Sequence, residues 1–270
     1  MSERVQNEGS APVSRSESDD SGGRHALAAM SLSLIVSGLA GCNGTTDNGS
    51  QSDTRTAFHP DSGRVLWRLP LGVNDHVVAS PSIAADGALY VATSPGILYA
   101  VSSAGVLLWA FDVATAGYHC TFRSSPAVAA DGTIYLGSNQ GNPSSALFAL
   151  RPSGQIRWIF EPSDLPSDVP SDHFDIYTSP AIGSDGALYF RQEFGRVYSL
   201  DGASGVLKWL VNTETGVTWS SPALTSAGTL LISDLGGRLY AITTESRGLQ
   251  AGAPWPRYRH DNTSTGKAWG

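Results

Sequence analysis

Four stretches of the chain are near copies of one another: VASPSIAADGALYVAT from Val78, RSSPAVAADGTIYLGS from Arg123, YTSPAIGSDGALYFRQ from Tyr177 and WSSPALTSAGTLLISD from Trp219. Their Ser-Pro pairs, Ser80-Pro81, Ser125-Pro126, Ser179-Pro180 and Ser221-Pro222, stand 45, 54 and 42 residues apart. A sequence that repeats at this period builds one supersecondary unit several times and buries each unit against its neighbours. Any fold proposed for the chain has to contain that unit four times over.

Within each copy, Asp86, Asp131, Asp185 and finally Ala227 precede a glycine. Apolar pairs follow at Leu89-Tyr90, Ile134-Tyr135, Leu188-Tyr189 and Leu230-Leu231, and again at Leu98-Tyr99, Leu147-Phe148, Val197-Tyr198 and Leu239-Tyr240. Trp109, Trp158 and Trp209 stand ten or eleven residues beyond the second pair. Asp-Gly between apolar runs is a hairpin signal, and Gly96, Gly195 and Gly237 mark the next turn in the same way. The runs are too short for helices and rich in strand formers. Four short antiparallel strands per unit at this period predict an all-β chain, a β-propeller of about four four-stranded blades.

These motifs, SSPA, DGTIYLGS, LFAL and the trailing tryptophan, resemble the PQQ-type β-propeller repeat over residues 64–242. That repeat occurs in quinoprotein dehydrogenases and in the lipoprotein of the outer-membrane β-barrel assembly machinery. The tail PWPRYRHDNTSTG is similar to a segment at the ends of such propellers, through Trp255, Pro256, Tyr258, Arg259, Asp261, Thr265 and Gly266. The resemblance implies that Trp67, Trp109, Trp158 and Trp209 pack between adjacent blades. The fourth copy lacks its tryptophan strand, whereas GRVLWRLP at 63–70 is an orphan one. We therefore expect Val65–Leu69 to complete the fourth blade and close the ring, removing exposed sheet edges. An open arc, or two chains pairing into an eight-bladed ring, are the alternatives.

Residues 1–25 are polar, and ALAAMSLSLIVSGLAGC follows from Ala26 to Cys42. That apolar run is short for a membrane span but suits a signal-peptide core. Its end, Leu39-Ala40-Gly41-Cys42, resembles the lipobox of bacterial lipoproteins, in which the cysteine carries lipid. The expected organisation is therefore a leader over 1–41, a flexible tether over 42–63, a propeller over 64–245 and a tail over 246–270. An exported lipoprotein, outer-membrane and facing the periplasm or the surface, is the expected location. With Cys42 lipidated, Cys120 has no disulfide partner. The net charge of −7 and the lack of a basic block exclude a nucleic-acid footprint.

The dehydrogenase branch of the family uses an adjacent cysteine pair, a calcium ion and a catalytic aspartate with pyrroloquinoline quinone. Here Cys42 and Cys120 are far apart, so the quinone and quinone-dependent dehydrogenase activity are not expected, and neither is any other cofactor. Loops leading into each Ser-Pro motif share one rim of a propeller. They carry His76, His119 and His173, of which His119 and His173 are candidate metal ligands. The third such loop is the longest and carries Glu161, Asp164, Asp168, Asp172 and Asp175, a candidate acidic contact arm. These features predict a non-enzymatic, lipid-anchored interaction or scaffold module for an envelope protein, with homodimerisation possible. A ligand- or metal-binding protein or enzyme working at the rim is the alternative.

Overall fold

Short apolar runs separated by turn-forming glycines leave the backbone one economical solution, the antiparallel hairpin, and it is adopted throughout the repeat region. The computed structural model describes residues 52–58, 64–142, 145–161, 174–213 and 219–262. All of them lie within one unit, Ser31–Gly270. Strands β1 (Ser52–Phe58) and β2 (Val65–Val73) form a two-stranded sheet. The first repeat sheet contains β3 (Ser82–Ile83), β4 (Leu89–Ala92), β5 (Ile97–Val101) and β6 (Leu107–Asp112). The second contains β7 (His119–Phe122), β8 (Ala127–Val128), β9 (Ile134–Asn142), β10 (Leu147–Leu150) and β11 (Ile156–Phe160). The third holds β12 (Ala181–Ile182), β13 (Ala187–Arg191), β14 (Arg196–Asp201) and β15 (Leu207–Asn212). The fourth has β16 (Ala223–Leu224), β17 (Thr229–Ser233) and β18 (Leu239–Thr243). The chain is all-β, in four antiparallel repeat sheets of three to five strands.

The Asp-Gly turns work differently from a two-residue hairpin. Gly87 N–H donates to Ala84 O at 3.0 Å, Ala84 N–H donates to Ala88 O at 2.8 Å, and only the glycine takes positive φ. This is a type I turn followed by a left-handed glycine. The aspartate is therefore not there to tolerate positive φ. Its Oδ1 accepts the N–H two residues on: Ala88 at 3.0 Å, Thr133 at 2.9 Å and Ala187 at 3.2 Å.

Two ladders tie one sheet to the next. Ser80 N–H donates to Ser125 Oγ at 2.9 Å, Ser125 N–H to Ser179 Oγ at 2.8 Å and Ser179 N–H to Ser221 Oγ at 3.0 Å. The serines of the second, third and fourth Ser-Pro motifs thus each satisfy an amide of the preceding unit. At the outer end, Trp67 Nε1 donates to Ser103 O at 3.0 Å, Trp109 Nε1 to Pro152 O at 2.9 Å and Trp158 Nε1 to Gly202 O at 3.1 Å. Each of these indoles lies over a glycine of the next sheet's outer turn: Gly105, Gly154 and Gly205. Trp209 lies tilted against Tyr189 of its own sheet, ring centroids 5.8 Å apart.

A β-carbon on Gly154 would stand 2.9 Å from the Trp109 ring, on a backbone at φ +83. Gly154→Ala therefore lowers stability by about 2–3 kcal/mol, combining left-handed strain with displacement of the indole. Gly117, at φ 85 with open space around it, provides the control. Gly117→Ala is expected to cost about 1 kcal/mol, the backbone part alone. Urea midpoints of the two variants read the difference.

The ring is not closed by β2. That strand pairs with β1, a local partner whose short connection costs little loop entropy, and not with β18. Residues 52–58, expected within the tether, are therefore a strand. The fourth sheet keeps three strands, and among the described strands β18 pairs with β17 alone. Trp67, Leu69 and Leu71 cover the leading face of the first sheet, where Leu89, Val91 and Val101 are buried. Among the described residues, the trailing face of the fourth sheet has no such cover. Val197 of β14 is 0% exposed, while Leu239, at the equivalent position of β18, is 70% exposed.

The tail runs back along the innermost strands. Val128 N–H donates to Trp255 O at 2.7 Å, Ile182 N–H to Pro256 O at 2.8 Å and Gln250 N–H to Ile182 O at 2.9 Å. Asn262 brackets Leu224 from both sides, accepting its N–H at 3.4 Å and donating to its carbonyl at 2.6 Å.

Asp185 fastens the start of this tail. It accepts from the Ser246 hydroxyl and from Lys208 Nζ at 3.2 Å. Burial pushes the Asp185 carboxyl up, but the Ser246 hydroxyl, the Ala187 N–H and Lys208 together outweigh it and hold the group below the usual carboxylate range. A carboxylate depressed in the folded state contributes stability above its unfolded value of about 4 and loses it as pH falls through the folded one. The chain is therefore expected to lose stability steeply below about pH 4, and Asp185→Asn to flatten that limb. Denaturation midpoints between neutral pH and about pH 3 check this.

Candidate functional site

The residues just before the four prolines converge on one cavity of about 290 Å³. Its wall contains Val78, Arg123, Tyr177 and Trp219, each three residues before its repeat proline, with Ser80, Ser125, Ser179 and Ser221 behind them. Tyr258 of the tail joins the same wall. The serine ladder and the short inner strands fix this backbone. The cavity is consequently preformed, and the side chain three residues before the proline differs in every unit.

Its chemistry is aromatic with one cation. Tyr177 and Trp219 lie with ring centroids 6.5 Å apart, and Trp219 is 67% exposed. Arg123 is exposed and makes no ion pair among the described residues. No carboxylate lines the cavity among the described residues.

The histidines singled out from the sequence do not line it. His76 is an exposed loop residue whose carbonyl accepts Ser94 N–H at 2.7 Å. His119 is exposed on β7 and borders a separate depression of about 180 Å³ with Asp112, Tyr118 and Cys120. His173 lies outside the described residues, and among those described no three His, Cys, Asp or Glu side chains gather as metal ligands.

The ends of the acidic loop turn inward. Glu161 accepts from the Tyr118 hydroxyl, and Asp175 Oδ1 accepts from Gln140 N–H at 2.7 Å and Ser145 Oγ at 2.6 Å. Asp175 and Glu161 therefore anchor the loop onto the second unit. Asp164, Asp168 and Asp172 lie outside the described residues, as does Cys42. Cys120 is buried and unbridged, and burial pushes its thiol up. The sequence reading missed Arg123, Tyr177, Trp219 and Tyr258. Aligning the repeats on their prolines places the first three, with Val78, in one column three residues before the proline.

Known proteins of this architecture are similar at low identity. BamB from Moraxella catarrhalis superposes with a TM-score of 0.55 at 16% identity, over 73% of this chain and 57% of that one. Sqt1 from Saccharomyces cerevisiae superposes at 0.57 and 14% identity, over 74% of this chain and 56% of that one. The quinohemoprotein alcohol dehydrogenase from Comamonas testosteroni gives 0.53 at 13% identity, over 72% of this chain and 39% of that one. The chain thus spans little more than half the length of the first two and less of the third. No curated protein matches it. In sequence, residues 7–193 match the PQQ-repeat family described as outer membrane protein assembly factor BamB. With more than half of its length matched, the chain belongs to that family of PQQ-repeat β-propeller proteins.

Proposed function

We propose that the chain is a non-enzymatic, lipid-anchored propeller module of the cell envelope that docks another protein on its uncapped end. The observation that carries this reading is the trailing face of the fourth sheet. Leu239 is 70% exposed there, Leu235 is equally exposed in the adjoining turn between β17 and β18, and β18 offers an edge with no described partner. Isolated apolar side chains on a surface mean little, but an apolar face beside an open strand edge is how one chain invites another. The opposite end of the repeat array already has a cap in β2. The partner supplies an extended strand and an apolar face. Membership of the BamB-described family supports an envelope partner.

Pyrroloquinoline quinone does not fit these residues. Cys120 is 4% exposed and has no adjacent cysteine, and no acidic cluster for calcium forms among the described residues. The dehydrogenase chemistry of the wider family is accordingly not assigned to this chain.

A photo-crosslinking residue at position 239 tests the docking face in cells, with Val106, 60% exposed on the first sheet, as the control position. A discrete adduct at 239 that is absent at 106 is expected, and an adduct of twice the chain's mass would identify the partner as a second copy. No adduct, or the same adducts at both positions, overturns the reading. Cys42→Ser is expected to move the chain from the membrane pellet to the soluble fraction. Retention in the pellet would remove the anchor from the proposal.

A further inference from the structure

We propose that the cavity ringed by the four Ser-Pro motifs binds a small aromatic carboxylate, its acid group on Arg123 and its ring against Trp219 and Tyr177. Four observations converge on it. The wall draws one side chain from the same position of every unit, and these are Val78, Arg123, Tyr177 and Trp219. The backbone beneath is held by the serine ladder, so the side chains are presented by a rigid frame. Trp219 is left in water at the mouth while Tyr177 lies 6.5 Å away, which provides aromatic surface for a flat body. Arg123 brings a planar fork of donors with no acid to occupy it among the described residues.

The same facts rule out other ligand classes. A phosphate is held by converging backbone N–H groups or several cations. Here the amides of Ser80, Ser125 and Ser179 are already spent on the next unit's hydroxyl, and Arg123 is the one cation in the wall among the described residues. A metal ion is disfavoured because the wall offers neither imidazole nor carboxylate among the described residues. At about 290 Å³ the space suits one ring and a short acid chain, at the small end of ligand pockets.

The probe is 3-phenylpropionate, titrated against the purified full chain by calorimetry and by tryptophan fluorescence. Its uncharged isostere 3-phenyl-1-propanol and the non-aromatic 3-cyclohexylpropionate are the comparison ligands. Saturable binding of the aromatic acid is expected, with the alcohol and the Arg123→Gln variant each weaker by at least about tenfold. Trp219→Ala is expected to weaken binding and remove most of the fluorescence response. Arg123 and Trp219 are exposed, so both variants should keep the parent's denaturation midpoint, which is measured alongside. No saturation by about 10 mM, equal binding of acid and alcohol, or unchanged binding by Arg123→Gln each overturns the proposal. Leu239→Glu leaves this titration unaltered, so failure of the docking face and failure of the ligand site are read separately.

Discussion

Phe148→Ala lowers the stability of the repeat array by about 3–5 kcal/mol, one of the two largest effects expected of any change considered for this chain. Phe148 sits on β10 and is 0% exposed. Phe111, from the first sheet, lies with its ring centroid 6.0 Å away. Tyr118 and Phe122 approach edge-on at 5.3 and 5.9 Å. Truncation therefore removes the ring that three others pack on, at the junction of two units. Around it Leu98, Leu136 and Leu150 are also fully buried in well-defined strands, so the wall cannot collapse to fill the space. In a repeat array the junction energies hold neighbours together, so the loss is felt by both sheets. Urea denaturation followed by tryptophan fluorescence measures it, with Val106→Ala, at an exposed site, expected to change almost nothing. A Phe148→Ala cost below about 1 kcal/mol would mean that the junction repacks freely and that the sheets are not coupled through this cluster.

The local parts of this fold were legible because their causes are local. The Ser-Pro and Asp-Gly columns fall at the start of the unit and in its first hairpin, and the apolar pairs became the two strands that follow the Ser-Pro strand in each sheet. The Trp67, Trp109 and Trp158 indoles donate to turns 36, 43 and 44 residues onward, a periodic contact that the repeat itself announces. What could not be read depends on competition between distant partners. β2 had two candidate neighbours, β1 and β18, and no single-residue signal ranks them. Arg191 shows the same blindness at one side chain. It stands on β13 where β4 and β9 have Ala92 and Gly137, it is fully buried, and burial lowers its pKa. A charge within an apolar run reads as a strand end until the fourth sheet is placed over it. The cavity escaped for a related reason. His119 was chosen for its chemistry, whereas Arg123, Tyr177 and Trp219 matter for the place the repeat gives them.

Ending the chain after Glu245 is the harsher change, and we expect it to abolish the folded array or leave it aggregating at 37 °C. In a ring, inner strands face one another across a narrow channel. Here they face the tail instead. Without it, Val128, Ile182 and Leu224 would lose partners for backbone groups that are bonded to Trp255, Pro256, Gln250 and Asn262. Trp255, buried at 4% exposure in the cluster that joins the first two sheets, would go as well. Arg257, whose Nε donates to Pro222 O at 3.2 Å, would no longer hold the fourth motif. A buried indole alone is worth roughly 3–5 kcal/mol, and each orphaned buried amide adds about 1–3 kcal/mol, against a typical total of about 5–15 kcal/mol. The sum reaches the whole margin. The truncated chain should therefore appear in the insoluble fraction, and any soluble part should melt well below the parent. Trp255→Ala separates the contributions, since it removes the ring but keeps the backbone bridge to Val128 and should remain folded with a lowered midpoint. A truncated chain that stays soluble with an unchanged midpoint would show that the inner strands need no cover. The sheets would then hold together through the serine and tryptophan ladders alone, as a self-sufficient arc with a vacant inner edge.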